Sequence, residues 1–259
     1  MTTITIGQRK GGNGKSTSAL NLAEAFAEAG KRVLLIDLDD QKNSTSAIEV
    51  SEQPRFTVED LLVRPDVSVA AAAVSTAWEG VSLIGASASL SGTIRELDGE
   101  VGSHLALREK LAAASSATAD AGFDLCLIDT SPSLNILVVN ALCASRYLFI
   151  PLSSKYFSLQ GLGQTLEAFA KVKSRLNAEL EILALAFVLH DSRSSLAREV
   201  VQKACGEYPE LVCQSMVGQN IKIEEAQVMR RSILSYASED RGSAQYRSLA
   251  AELLGRMAG

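Results

Sequence analysis

Short apolar runs alternate with longer stretches of helical period along most of the 259 residues. That pattern predicts an α/β fold: a mostly parallel, twisted sheet with helices on both faces. The runs read as strands at Thr3 to Gly7, Arg32 to Leu38, Val81 to Ala86, Asp124 to Asp129, Tyr147 to Pro151, Ile182 to Leu189 and Leu211 to Val217. Between the first two, Ala19, Leu20, Ala23, Phe26 and Ala27 fall on one stripe, which predicts a helix from Ser16 to Ala29 ended by Gly30. A second stripe, Tyr246, Leu249, Ala250, Leu253, Leu254 and Met257, marks a last helix. Its polar side carries Arg247, Glu252 and Arg256 rather than a lysine-rich face, so packing on the body is expected in preference to lying on a membrane. The Ala/Ser-rich stretch 112–121 reads as a helix end plus surface loop. With no repeat and no Pro- or Ser-rich linker, residues 1–259 are expected to form one domain.

Composition changes this picture little, but it narrows the function. At 47% hydrophobic and 21% charged residues the chain can build a core. No run approaches the roughly 18 apolar residues of a bilayer span, and Met1, Thr2 and Thr3 open no basic leader, so no stable membrane insertion and a cytoplasmic location are expected. Cys126, Cys143, Cys205 and Cys213 form no Cys-x-x-Cys pair, and His104 and His190 lie far from them; reduced thiols are expected rather than a metal set. A net charge of −5 weighs against a wholly basic nucleic-acid surface. From Asp191 onward, however, nine basic residues balance nine acidic ones, leaving room for a locally positive face.

The chemistry concentrates in Lys10-Gly11-Gly12-Asn13-Gly14-Lys15-Ser16-Thr17, a glycine-rich turn between the first strand and the first helix. Three glycines without side chains let backbone N–H groups converge where phosphates approach, and the helix N-terminus adds its dipole. In such a P-loop Lys15 reaches the β- and γ-phosphates of a nucleoside triphosphate and the Ser16 hydroxyl ligates Mg²⁺. The ordinary pattern would need glycine at position 9; this chain has Arg9 there and an extra lysine, Lys10. Asp37 and Asp39 end one buried strand, where open α/β sheets place their ligands, and can hold Mg²⁺ through water or orient an attacking water. Leu125-Cys126-Leu127-Ile128-Asp129 is a second apolar strand ending in an acid, as in a Walker B motif.

The Lys-Gly-Gly-x-Gly-Lys-[Ser/Thr] form resembles the deviant Walker A motif of the ParA/MinD family of P-loop ATPases, and further segments favour its ParA (Soj-like) branch. Leu38-Asp39-Asp40-Gln41-Lys42-Asn43-Ser44-Thr45-Ser46 resembles the family run Leu-Asp-Pro-Gln-Gly-Asn-Ala-Thr-Ser. Asp129-Thr130-Ser131-Pro132-Ser133-Leu134, followed by Asn140-Ala141-Leu142, is similar to its Asp-x-Pro-Pro-Ser-Leu segment. Ile150-Pro151 with Tyr156, Leu159 and Gly161-Leu162, then the stretches Asp191 to Leu196 and Asn220 to Ala226, extend the likeness over nearly the whole chain.

The resemblance implies a slow, partner-stimulated ATPase that uses ATP and Mg²⁺ as a switch. It implies that Lys10 reaches the nucleotide of a second subunit in an ATP-bound homodimer, that Gly12 lies against that subunit, that Asp39 is the hydrolytic aspartate, and that Asp129 is the Walker B acid. It places Asn220 on the adenine, and Arg193 and Lys222 on the two basic positions that grip nucleoid DNA without sequence preference. A ParB-like or other cargo adaptor is the expected partner, and the cargo a plasmid, a chromosome origin or a large protein assembly. The P-loop opens ten residues into the sequence, so no N-terminal helix-turn-helix is expected. A membrane-cycling ATPase of MinD type is the alternative, and a metal- or cluster-handling relative a more distant one. Departures from the family pattern are Asp40 and Lys42 for proline and glycine, Ser131 for proline, Lys155 for glutamate, and Met216-Val217-Gly218-Gln219-Asn220 for a Val-Ile-Pro-Arg-Asn-like run, which removes one arginine from the DNA face.

Overall fold

A computed structural model describes residues 1–116, 122–155 and 157–258; Tyr156 and the end of the Ala/Ser-rich stretch, residues 117–121, lie outside them. The strands are β1 (Thr2–Ile6), β2 (Val33–Leu38), β3 (Val74–Ser75), β4 (Val81–Ile84), β5 (Leu125–Thr130), β6 (Tyr147–Leu152) and β7 (Glu181–Phe187). The helices are α1 (Lys15–Glu28), α2 (Asn43–Ser46), α3 (Val58–Val63), α4 (Val69–Ala72), α5 (Leu90–Asp98), α6 (Ala106–Ser116), α7 (Ile136–Ala144), α8 (Phe157–Arg175), α9 (Ser195–Glu207), α10 (Ile221–Val228), α11 (Ile233–Tyr236) and α12 (Arg241–Ala258). One seven-stranded sheet runs in the order β3-β4-β2-β5-β1-β6-β7. It is parallel except for the antiparallel edge pair β3 and β4.

Buried strands must be apolar on both faces, and β2 divides its residues accordingly. Val33 and Leu35 join a core with α1 and α12. Leu34, Ile36 and Leu38 join the opposite core with α3, α5, α6 and α7. A third core sets Leu148, Ile150 and Leu152 of β6 against Leu162 and Val172 of α8 and Val200 of α9. Helix α1 matches its expected span, with Ala29 as its C-terminal cap and Gly30 at φ +81°. It is buried well beyond one stripe, Leu22 and Ala25 included, because α12 and α11 close over the side away from the sheet. Tyr246, Leu249, Ala250 and Leu253 of α12 are all buried against it, so this stripe is occupied by the protein body. Among the described residues no helix is long and apolar enough to cross a membrane.

The segment Leu211 to Val217 departs from its expected strand form. It runs beside β7 through single bridges, Leu185 to Val212 and His190 to Gly218, and never forms a continuous ladder. Its backbone turns away in between, where Glu252 of α12 accepts from the N–H groups of Gln214 (3.0 Å) and Ser215 (2.8 Å). Val74–Ser75 was not expected as a strand; two residues carry no readable period.

The loop joining β1 to α1 is seated on α8. Thr165 donates to Gln8 Oε1 (2.7 Å) and accepts from the Arg9 N–H (3.1 Å). A Cβ at Gly161 would lie 2.8 Å from Lys10 Cβ and 3.2 Å from Gln8 Oε1, so only glycine lets α8 come this close. Gly161→Ala is therefore expected to lower stability by about 1–3 kcal/mol through overpacking. Urea unfolding checks this: the midpoint should fall with an unchanged slope, and an unshifted midpoint would mean that the loop yields at no cost.

Candidate nucleotide and metal site

Gly12 (φ +74°) and Gly14 (φ +73°) take the left-handed conformation that lets the chain wrap tightly before α1. Nothing lies within 4 Å of where a Cβ would stand on Gly11 or Gly12, so the concave side of the loop is open to a ligand. Asn13 points inward and fixes the loop from behind: its Oδ1 accepts from Ser153 (2.8 Å) and Ser158 (3.1 Å). A cavity of about 650 Å³ opens over the loop, lined by Gly11, Gly12, Lys15, Ser16 and Thr17, and across from them by Asp39. Lys10 is exposed on the same loop.

The carboxylates are brought together by strand order. Because β5 lies between β1 and β2, Asp129 pairs in register with Ile6 on one side and Asp37 on the other, at the end of β1 where the loop begins. Asp37, Asp39 and Asp129 are all buried, and so is Lys15. Burial raises the pKa of each acid. For Asp129 the Asp37 carboxylate adds to the rise, which reaches about 7, while the Ser44 and Ser16 hydroxyls oppose it. Burial lowers the pKa of Lys15, against the pull of Asp129 and Asp39. Asp39 and Asp129 thus share one ammonium beside a third buried acid, Asp37, and among the described residues Asp129 Oδ1 has no hydrogen-bond partner.

The deficit is one of positive charge, and the donors are hard oxygens. Both fit a small divalent cation such as Mg²⁺. The described residues contain no ready-made cage of three metal-binding side chains. An ion here would take the Ser16 hydroxyl, ligand oxygens and water, with the acids around that shell.

The three acids differ in their engagements. Asp37 is saturated by its own chain: Oδ1 accepts from the Asp39 N–H (3.0 Å), and Oδ2 from the Thr45 N–H (2.8 Å) and hydroxyl (2.7 Å). It holds the segment after β2 in place and does not itself line the cavity, so a role toward Mg²⁺, expected to run through water, would be indirect. Asp39 does line it, its carboxylate oriented by the Gln41 N–H (3.0 Å). Asp129 is tied to α2 by the Ser44 hydroxyl (2.7 Å). Lys42 adopts φ +54° where the family run has glycine.

The residues expected farther along the chain fall apart from this cavity. Asn220 caps α10 by accepting from the Lys222 N–H (3.0 Å) and donates to Asp240; it does not line the cavity. Lys222 pairs with Asp240 (3.1 Å). Arg193 pairs with Asp191 (3.2 Å) on a loop where its side chain stays 88% exposed. Their two segments are joined through the main chain of His190, whose N–H donates to the Val217 carbonyl (3.0 Å) and whose carbonyl accepts from the Gln219 N–H (3.1 Å). Sequence reasoning missed Ser44, Thr45 and Gln227, whose Nε2 donates to the Thr17 hydroxyl (3.0 Å) inside the cavity. Ser44, which stands where the family run has alanine, was the one available signal.

A family described as an AAA domain matches residues 1–182. The chain is 35% identical over 254 residues to the chromosome partitioning protein ParA of Caulobacter vibrioides, covering 98% of this chain and 94% of that protein. It is 36% identical to the chromosome-partitioning ATPase Soj of Treponema pallidum, covering 98% and 97%. Among solved structures, cobyrinic acid a,c-diamide synthase of Mycobacterium smegmatis with a bound ATP analogue and magnesium superposes at TM-score 0.83 and 29% identity, covering 100% and 96%. McdA of Cyanothece in complex with ATP superposes at 0.84 and 22% identity, covering 98% and 96%, a likeness of fold alone.

An acid whose pKa rises on folding binds its proton more tightly in the native state. Its contribution to stability is complete below the unfolded value of about 4 and is lost as pH climbs through the folded value. In chelator, the protein is therefore expected to lose stability between pH 4 and about 7, the value for Asp129. Asp129→Asn should flatten this dependence and be the more stable form at neutral pH. Urea unfolding across the range reads both, and parallel pH profiles would refute the charge conflict.

Proposed function

We propose that this chain, which belongs to the AAA-domain family of the ParA and Soj partitioning ATPases, is a dimerising switch that binds ATP with Mg²⁺ and positions a cargo on DNA. The observation that carries this reading is that Lys15, Ser16 and Asp39 face one cavity floored by an open glycine loop, with the buried Asp129 behind them keeping, among the described residues, one carboxylate oxygen without a hydrogen-bond partner. An ATP analogue with magnesium and ADP with magnesium in solved relatives of 29% identity support the choice of ligand.

The loop N–H groups from Gly11 to Thr17 would cradle the phosphates and Lys15 would bind the β- and γ-oxygens. Mg²⁺, when bound, supplies charge neutralisation along the phosphates, held by Ser16 with Asp129 and Asp39 near its water shell and Asp37 fixing their segment. Asp39, its orientation set by Gln41, would position the attacking water; hydrolysis needs little beyond this placement. Lys10, exposed beside the loop, would contact the nucleotide of a second copy, and the open space at Gly12 admits that copy's close approach. Arg193 and Lys222 would contact phosphates of nucleoid DNA, exchanging Asp191 and Asp240 for them. A cargo-linked adaptor of ParB type would stimulate a slow resting rate and release the dimer.

Asp39→Ala is expected to accumulate an ATP-bound dimer and to lose turnover, whereas Lys10→Ala should stay monomeric with ATP affinity within about threefold of the wild type, a difference near 0.7 kcal/mol. Light scattering with and without Mg-ATP distinguishes them; an Asp39→Ala protein that remains monomeric would sink the shared-nucleotide dimer. DNA affinity in Mg-ATP should fall steeply with salt. Arg193→Ala and Lys222→Ala should each lower the log-log salt slope by roughly one; unchanged slopes would place the DNA contacts elsewhere.

A further inference from the structure

Helix α10 forms one wall of the nucleotide cavity through Glu224, Gln227 and Val228. Asn220, the position that family resemblance assigns to adenine, is occupied with Asp240 and the N-terminus of α10. Gln227 instead reaches into the cavity and donates one amide hydrogen to the hydroxyl of Thr17, the residue after Ser16 in the phosphate loop. Beside it Val228 also lines the cavity and is 82% exposed, so its apolar surface is open to a ligand there.

We infer that Gln227 is the specificity-determining residue for the base, selecting a purine that carries an amino group at C6 over one that carries an oxo group there. The inference rests on the ATP-binding reading above. A carboxamide has two donor hydrogens and one acceptor oxygen. With one hydrogen held by Thr17, the second hydrogen and Oε1 remain; among the described residues neither takes another partner. Those two groups match the N7 acceptor and the N6 donor of adenine, the usual glutamine–adenine pairing. Guanine offers acceptors at both positions, so Oε1 would face O6 and one bond would be replaced by a repulsion. Val228 supplies an apolar surface for the face of the ring. The Thr17 bond also fixes which way the amide points: a Thr17 hydroxyl donating to a phosphate has its lone pairs free to accept from Nε2, leaving Oε1 for the base.

The test measures equilibrium binding of three probes to the full chain with Mg²⁺: adenosine triphosphate, guanosine triphosphate and purine riboside triphosphate, which lacks the C6 amino group. The wild type is expected to prefer ATP to either of the others by roughly tenfold to a hundredfold. Gln227→Met, which keeps the side-chain length, and Gln227→Ala should both collapse that preference to about threefold or less while still binding ATP. A preference that survives in either variant overturns the inference, as does one that Glu224→Gln collapses instead. A wild type that binds all three probes equally also overturns it while sparing nucleotide binding. A wild type that binds none defeats the ATP reading and this inference with it.

Discussion

The constraint on which the rest depends is that a parallel sheet delivers every strand's carboxyl end to the same edge, and here that edge gathers three acids and one lysine out of water. Placing β5 between β1 and β2 leaves Asp129 no choice but to sit beside both Asp37 and the start of the glycine loop. Such a cluster is unfavourable on its own: like charges raise one another's pKa and burial removes the solvent that would separate them. The fold tolerates it because the flanking hydrophobic layers are complete on both faces. A bound divalent cation would relieve the stress stored at the edge, which is how a site becomes dependent on its ligand.

Around that edge the chain spends much of its side-chain hydrogen bonding on holding loops still. Thr45 is the hub: it bonds Asp37 through both its N–H and its hydroxyl, and its Oγ1 also accepts from the Ala86 N–H (3.0 Å) after β4. A Cβ at Gly85 would meet Thr45 Cγ2 at 2.9 Å, so the contact is close on both sides. Ser44 adds a tie from α2 to Asp129 that an alanine at that position could not make. Helix α2 contributes Asn43 and Ser46 to the cavity wall, so whatever changes the partner of Asp129 also changes the support of α2. A short element held by two buried acids beside the cavity is the kind of part that would couple a bound nucleotide to a change in shape.

Much of this was legible in the sequence, and for specific reasons. The glycine loop, Asp39 and Asp129 could be read because short-range rules govern them: glycines at positive φ, an acid at a buried strand's end, a lysine at fixed spacing. The last helix was legible because its stripe is periodic over several turns. What escaped depends on contacts between distant positions. Asn220 and Asp240 are twenty residues apart, and Gln227 and Thr17 two hundred and ten. The segment Leu211 to Val217 has strand composition, but Glu252 takes its N–H groups before a ladder can close. Asp37 read as a metal-site acid by position; only the fold shows that its oxygens accept from Thr45 and the Asp39 N–H.

The paired cations Arg193 and Lys222 bear on why the proposed switch should need two copies. An exposed ion pair such as Arg193 with Asp191 is worth roughly 0–1 kcal/mol, so a phosphate can displace the acid at little cost, yet gains little from each exchange. One copy offers two such positions on a protein of net charge −5. Binding that rests on counterion release grows with the number of phosphates neutralised, and linking two sets of contacts multiplies rather than adds their effects. An acidic monomer holding DNA through two such paired cations would let go of it readily, whereas a nucleotide-closed pair would hold it. Under the proposed reading, the weakness of each contact is therefore what allows dimerisation to decide whether DNA is held.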